Sequence, residues 1–402
     1  MKYVILVGDG MGDRPIAELA GKTPLMVANT PAMDRVASQG ELCLLRTVPE
    51  GFPPGSDVAN LSLLGYLPAE CYSGRAPLEA ASLGVDLAPD ELAFRCNLVT
   101  LRFEQDGRVF MEDYSSGHIG SDEARVLVEA LQAEAGTERL HFHPGVSYRH
   151  LLVHKGAAAG LVTVPPHDHT GREVTEYWQR YQQFPHLREA FAKAMGLFAD
   201  HPVNLARQAK GLNPANGIWL WGEGKAPAMT SIPERYGVSG ALISAVDLLK
   251  GIGVYAGLEI INVPGATGYL DTNYAGKATA AVEALDRHDL VFVHVEAPDE
   301  TAHQGHLQNK IQAIEDFDQR IVAPILAALE QSGQEFRLVV AMDHFTPIAI
   351  KTHSAEPVPV AFYDSRRPTP GSGLPYDEAS AAGIGALIEN GDQFFRKVLA
   401  RL

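Results

Sequence analysis

Cysteine is scarce in this 402-residue chain. The three present, Cys43, Cys71 and Cys96, are odd in number and share no metal-type spacing, which speaks against a disulfide framework and against a thiolate zinc knot. Long apolar runs are missing too. Nothing approaches the roughly 20 residues of a membrane span, and the N-terminal MKYVILVGDGMGD breaks after five apolar residues, well short of a signal peptide. The cytoplasm is therefore the expected compartment. Positive charge is in deficit, with 33 Lys and Arg against 49 Asp and Glu and a formal net charge of -16. Nucleic acid and anionic membranes both require a basic face that displaces counterions, so neither is an expected partner; cation binding fits better. No GxSxG elbow and no P-loop occur. The nearest match to a P-loop, GVSGALIS, lacks the lysine that would contact a nucleotide phosphate.

What is present alternates. Residues 3–7 form a continuous aliphatic run that ends in Gly8-Asp9-Gly10, the pattern of a strand buried on both faces of a parallel sheet. The layout recurs at 289–295, running into Glu296 and Asp299, and at 336–342, running into Asp343 and His344. Helical patterns cover 33–39, 276–286 and 309–331. This strand–helix alternation predicts a doubly wound α/β core. The middle is less regular, from about 89 to 213, with a turn at 104–108, a histidine-rich loop HDHTG at 167–171 and aromatic helix candidates over 174–198. It reads as an inserted domain. The core resumes with 217–221 and with GALISAVDLLKGIG at 240–253, which reads as a helix closed by glycine. A chain of this length has a prior of about two to three domains, and two are expected.

Four groups carry chemistry: Asp9 in GDGMGD, Ser56 in PGSDVAN, the PDETAH segment, and Asp343-His344 with His353 in KTHSAEPVP. In PDETAH, Asp299 and His303 are four apart and share one face of a helical turn, the spacing of paired metal ligands. Carboxylates mixed with imidazoles suit Mn, Zn, Fe or Mg, and these ligands suffice for two ions. Two cations about 4 Å apart serve phosphoryl transfer well, and a bound cation can lower the pKa of a serine without a histidine base. Taken alone, each residue has a bland reading. Ser56 behind Pro-Gly could simply cap a helix, Asp9 could sit in a turn, and a single DxxxH pair is often a solvated helix face.

The ordered set, with GDGMGDRP, PGSDVANLSLLGY, GRAPLEAASLGV, PHDHTG, HPVN, VPGATG and DHFTPIAIKTHSAEPVPV, resembles the archaeal type of cofactor-independent phosphoglycerate mutase within the alkaline phosphatase superfamily. The resemblance implies an alkaline-phosphatase-like, mostly parallel sheet core over 1–88 and 214–402 and a smaller inserted α+β domain, 89–213, that binds substrate and acts as a lid. It implies two divalent ions, manganese first, with zinc, cobalt or magnesium as alternatives. Asp9, Ser56, Asp343 and His344 would surround one ion, and Asp299, His303 and His353 the other. Ser56 would take the phosphoryl group of 3-phosphoglycerate and return it to the 2-hydroxyl, with no need of 2,3-bisphosphoglycerate. The partner is then a small phosphorylated substrate, and a homo-oligomer is compatible with the sequence. Candidate substrate anchors are Arg75, Arg95 and Arg149, with His167 and Asp168; His118 and His169 are further candidates. An ion pair is the alternative for the arginines. Phe345 stands where a small polar residue is expected. With MEDYSSGHIG and VPGATGYLDTNY it is similar to a bacterial subgroup proposed to phosphorylate homoserine, which supplies the alternative function.

Overall fold

The computed structural model describes residues 1–156, 160–366 and 370–399. Its strands in chain order are β1 (Lys2–Gly8), β2 (Glu41–Leu45), β3 (Glu91–Phe103), β4 (Val109–Asp113), β5 (Leu140–Val146), β6 (Arg149–Lys155) and β7 (Gly217–Gly224). They continue with β8 (Gly240–Ile243), β9 (Glu259–Ile260), β10 (Leu290–Val295), β11 (Phe336–Ala341), β12 (Val358–Asp364) and β13 (Leu387–Ile388). Two compact units form, Met1–Tyr72 with Ala228–Leu402, and Ser73–Pro227.

The first unit is built on an eight-stranded sheet of order β13-β2-β12-β11-β1-β10-β8-β9. Parallel pairing joins β11, β1, β10, β8 and β9, while β12 runs antiparallel to both β11 and β2. Val4 to Val7, Leu290 to Val293 and Leu338 to Ala341 have no more than traces of exposed surface, because both faces of a parallel sheet are covered. Their apolar side chains exclude water on both sides, so the chain can place polar residues only where the strands end. The register sets Val7 beside His294 and Ala341, so Asp9, the segment after Val295 and Asp343 all emerge at the carboxyl ends of neighbouring central strands.

One element differs from its sequence reading. Residues 240–253 are not one helix: Gly240–Ile243 is a strand paired with β10, and the helix is Asp247–Tyr255. A four-residue apolar run carries no usable period, and pairing with a buried neighbour decides its state.

The second unit carries an antiparallel five-stranded sheet, β4-β3-β6-β5 with β7 on β3. Its boundaries lie outside 89 and 213. The helix Ala76–Ser82 belongs to it because Ala76 and Ala80 pack on Ala93, Leu151 and Val153, and β7 belongs to it because it hydrogen-bonds along β3. The helices Ser121–Ala135 and Pro185–Ala199 bury Leu127, Leu131, Phe191 and Phe198 in the core on this sheet.

Candidate metal and phosphoryl-transfer site

Asp9 follows β1, Asp343 and His344 follow β11, and Asp299 and His303 lie on the helix Ala297–His303 after β10. The backbone is tailored to bring them together. Gly10 has a φ of +59°, and a Cβ there would come within 2.5 Å of both the Asp299 carboxylate and the Thr346 hydroxyl. Only glycine combines that conformation with that approach. Its N–H donates to Asp343 Oδ1 at 3.0 Å, and Asn60 Nδ2 donates to Asp343 Oδ2 at 3.0 Å.

Ser56 is the first residue of the helix Ser56–Leu63; the cap position is Gly55, and no side chain caps this end. The serine hydroxyl is thus not engaged as the cap. Its Oγ lies 3.2 Å from His344 Nε2. That nitrogen is also 3.5 Å from Asp9 Oδ1 and 3.4 Å from Asp343 Oδ2. The helical pair expected from PDETAH closes, with His303 Nε2 3.1 Å from Asp299 Oδ2. His353 Nε2 lies 3.5 Å from Asp299 Oδ1 and 2.9 Å from His303 Nε2. Thr346 Oγ1 donates to Asp299 Oδ1 at 2.5 Å and sits 3.2 Å from His344 Nδ1.

The charges conflict. Burial, then the nearby carboxylates of Asp343, Asp299 and Glu296, hold Asp9 well above the usual carboxylate range. Burial would raise Asp299 too, but hydrogen bonds from His303 and His353 bring it well below that range. The hydrogen bond to Asp299 pushes His303 up to about 9, against its own burial. Burial likewise opposes ionisation of Asp343, and the neighbouring His344 and His294 outweigh it, lowering its pKa. Three buried carboxylates at close range need positive charge among them, as protons or as cations.

Cations fit the donors. Asp9 Oδ1 and His294 Nε2 are buried without a hydrogen-bond partner, which an open coordination position would explain. His303 Nδ1 faces the Lys351 carbonyl at 3.0 Å, so a cation replacing the proton that Nε2 shares with Asp299 would leave the N–H on Nδ1 and Nε2 as the ligand atom. Among the described residues, ligand atoms converge in two groups, Asp299 with His344 and His353, and Asp9 with Asp343 and His294. His344 therefore stands between the groups rather than with Asp9 alone. His294 was missed in the sequence, where a histidine inside the apolar DLVFVHV run was the available signal. Phe345 plays no part in this convergence that the geometry reveals; its ring lies over Gly12, where a Cβ would come within 2.2 Å.

The substrate-anchor candidates all lie in the second unit. Arg95, buried on β3, has Nε 2.9 Å from Glu79, and Arg75 Nε is 3.5 Å from the same carboxylate. The Arg95 guanidinium lies 4.1 Å over the Trp221 ring, and the His167 ring is 5.3 Å from that indole. Burial lowers Arg95 to about 10, with Glu79 opposing and Arg75 and Arg149 assisting. Arg149 stacks 5.9 Å from Tyr148, which also meets Tyr114 and His118. Asp168 stays outside, its side chain 61 % exposed with His167 3.7 Å away, and His169 packs on Tyr177.

A serine hydroxyl among buried carboxylates and imidazoles at the ends of parallel strands defines an α/β enzyme of the class equipped for metal-assisted phosphoryl transfer. The chain belongs, within that class, to the 2,3-bisphosphoglycerate-independent phosphoglycerate mutase family. The family model of that description matches residues 37–204. The mutase of Methanosarcina barkeri is 56% identical over 95% of both chains, which establishes membership. A solved protein from Pyrococcus horikoshii matches with a TM-score of 0.83 and 30% identity over 100% of this chain and 98% of its own. The solved cofactor-independent phosphoglycerate mutase of Thermoplasma acidophilum gives 0.66 and 27% over 100% and 99%, so both units are shared. The homoserine alternative finds no support in these relatives. Membership implies dependence on divalent metal, in keeping with the donor set. Among the described residues no helix is long and apolar enough to cross a membrane.

Proposed function

We propose that this chain interconverts 3-phosphoglycerate and 2-phosphoglycerate through a phosphoserine at Ser56. The observation that carries the reading is the uncapped Ser56 hydroxyl 3.2 Å from His344, beside the buried carboxylates of Asp9 and Asp343. Asp9, Ser56, Asp343 and His344 would hold one divalent cation and Asp299, His303 and His353 a second, with manganese the favoured ion. Bound there, the cations lower the pKa of the serine hydroxyl and neutralise charge on the phosphoryl oxygens.

The chain's own groups do the rest. His344 Nε2 lies beside Oγ, and the positive end of the helix Ser56–Leu63, which starts at the serine, favours the entering phosphoryl group. Oγ attacks phosphorus as the bond to the 3-oxygen breaks, leaving glycerate and phosphoserine. The 2-hydroxyl oxygen then attacks the same phosphorus as the Oγ–P bond breaks, and the proton it gives up ends on Oγ, restoring Ser56. Arg75, Arg95, Arg149 and His167, in a unit that acts as substrate-binding lid, supply anchors for the carboxylate and phosphate. The enzyme works in the cytoplasm on small phosphorylated acids.

The test is to incubate the purified, metal-free chain with 3-phosphoglycerate, restore Mn, and follow 2-phosphoglycerate by phosphorus NMR without 2,3-bisphosphoglycerate. Conversion that appears only with metal is the expected result. No conversion with Mn, Co, Zn or Mg sinks the reading.

A further inference from the structure

His294 has an environment that neither core packing nor ordinary hydrogen bonding accounts for. It lies in β10, opposite Val7 of β1, and has no exposed surface. Its backbone is fixed, since the buried Lys277 Nζ donates to its carbonyl at 3.2 Å. Of its ring nitrogens, Nδ1 faces the Ser244 hydroxyl at 3.5 Å, and that oxygen already accepts from the Val246 N–H at 3.0 Å. Nε2 lies 3.1 Å from Asp9 Oδ2 but makes no hydrogen bond with it.

A neutral imidazole has one N–H and one lone pair. When Nδ1–H turns to Ser244, the Nε2 lone pair faces a carboxylate oxygen, and two acceptors at 3.1 Å repel unless a positive centre lies between them. Asp343 completes the group, one ligand atom from each of Asp9, Asp343 and His294 falling within 4.8 Å of the others. Metal-bound imidazoles typically direct their second nitrogen to a polar acceptor in this way.

We infer that His294 coordinates, through Nε2, the cation held by Asp9 and Asp343, and is thus an additional ligand of that ion. The inference rests on the two-cation reading above. It assigns β10 a direct part in the site, beyond the helix that follows it, and makes the Asp9 ion richer in nitrogen than Asp9, Ser56, Asp343 and His344 alone would.

The experiment is a crystal structure of the wild-type chain soaked in Mn, with the ions located by anomalous scattering. The expected result is an ion between Asp9 and Asp343 with Nε2 at a coordination distance of about 2.0–2.3 Å. An ion in that place with Nε2 beyond about 3 Å and donating to Asp9 overturns the inference and leaves the two-cation reading standing. Absence of any ion between Asp9 and Asp343 at saturating Mn overturns both. Calorimetric titration of His294→Gln with Mn provides a second readout: one binding step weakens by about 10-fold or more while the other is unchanged. Two unchanged steps count against coordination.

Discussion

The two units present opposite electrostatic problems. In the first, Asp9, Asp299 and Asp343 are buried together at the ends of parallel strands, and the structure balances them with imidazoles and room for cations. In the second, Arg95 and Arg149 lie on an antiparallel sheet and Arg75 at the start of the helix Ala76–Ser82, with the Glu79 carboxylate beside Arg75 and Arg95 and aromatic rings beside Arg95 and Arg149. The acidic site calls for metal and the basic one for an anionic ligand. The difference divides labour: changes in the first unit should strike the chemical step, and changes in the second should strike substrate binding.

The largest expected effect tests the first half of that division. Ser56→Ala should lower kcat by about 10⁴-fold or more, the scale of losing a nucleophile, while Mn binding at Asp299, His303 and His353 persists in calorimetry. Turnover within about tenfold of wild type would show that Ser56 does not carry the phosphoryl group.

Stability should divide along the same line. All three tryptophans, Trp178, Trp219 and Trp221, lie in Ser73–Pro227, so their fluorescence reports the second unit. Burial holds His150 of that unit down to about 3, against an ordinary value of 6.5. The unfolded chain therefore takes up a proton below pH 6.5 that the folded chain refuses. Stability from this group is complete above about pH 6.5 and is lost as pH falls toward about 3, a loss on the order of 4 kcal/mol. Urea midpoints read by tryptophan emission should fall from pH 7 to pH 4. His150→Gln, which keeps an acceptor for the Gly145 N–H, should flatten that slope. A slope unchanged in the variant would assign the acid sensitivity elsewhere.

Metal should act on the other unit. At a free concentration 100 times its Kd, a cation bound only to the folded state adds about 2.7 kcal/mol. In calorimetric scans, Mn should raise a transition that chelator lowers, while the tryptophan-reported transition stays in place. Equal shifts in both would mean that the units unfold as one and that the comparison holds for chemistry alone.

How much could be read beforehand follows from range. The DxxxH pair was legible because helical spacing is local, and it closes at 3.1 Å. The strand-end carboxylates were legible because a doubly covered parallel strand shows as an unbroken apolar run. Ser56 was ambiguous until the backbone made Gly55 the cap, since Pro-Gly-Ser gives no sign of which residue occupies that position. His294 was hidden in a strand whose other residues are all core, and only the pairing with β1 brings it to Asp9. The domain boundaries at 73 and 227 depend on Ala76 and Ala80 packing on β3 and β6, a contact with no local signature. Glu79 escaped notice for a similar reason: its partner Arg95 is on another element.

That hidden ion pair leads to the smallest effect. Arg95 is buried and charged; Glu79 offers the counter-charge and Trp221 a π-face at 4.1 Å. The indole is itself fixed, its Nε1 donating to Asn97 Oδ1 at 2.9 Å while Asn97 Nδ2 donates to the Tyr114 carbonyl at 3.1 Å. Replacing Trp221 by Leu removes the π-face, which contributes about 0.5–2 kcal/mol, and frees the guanidinium to rotate. KM for 3-phosphoglycerate should rise by about 5- to 30-fold with kcat within about threefold, because Ser56 and its surroundings are untouched. Trp221→Phe retains an aromatic face and should recover most of the loss. A fall in kcat at unchanged KM would place Arg95 in the chemical step and erase the division between the units.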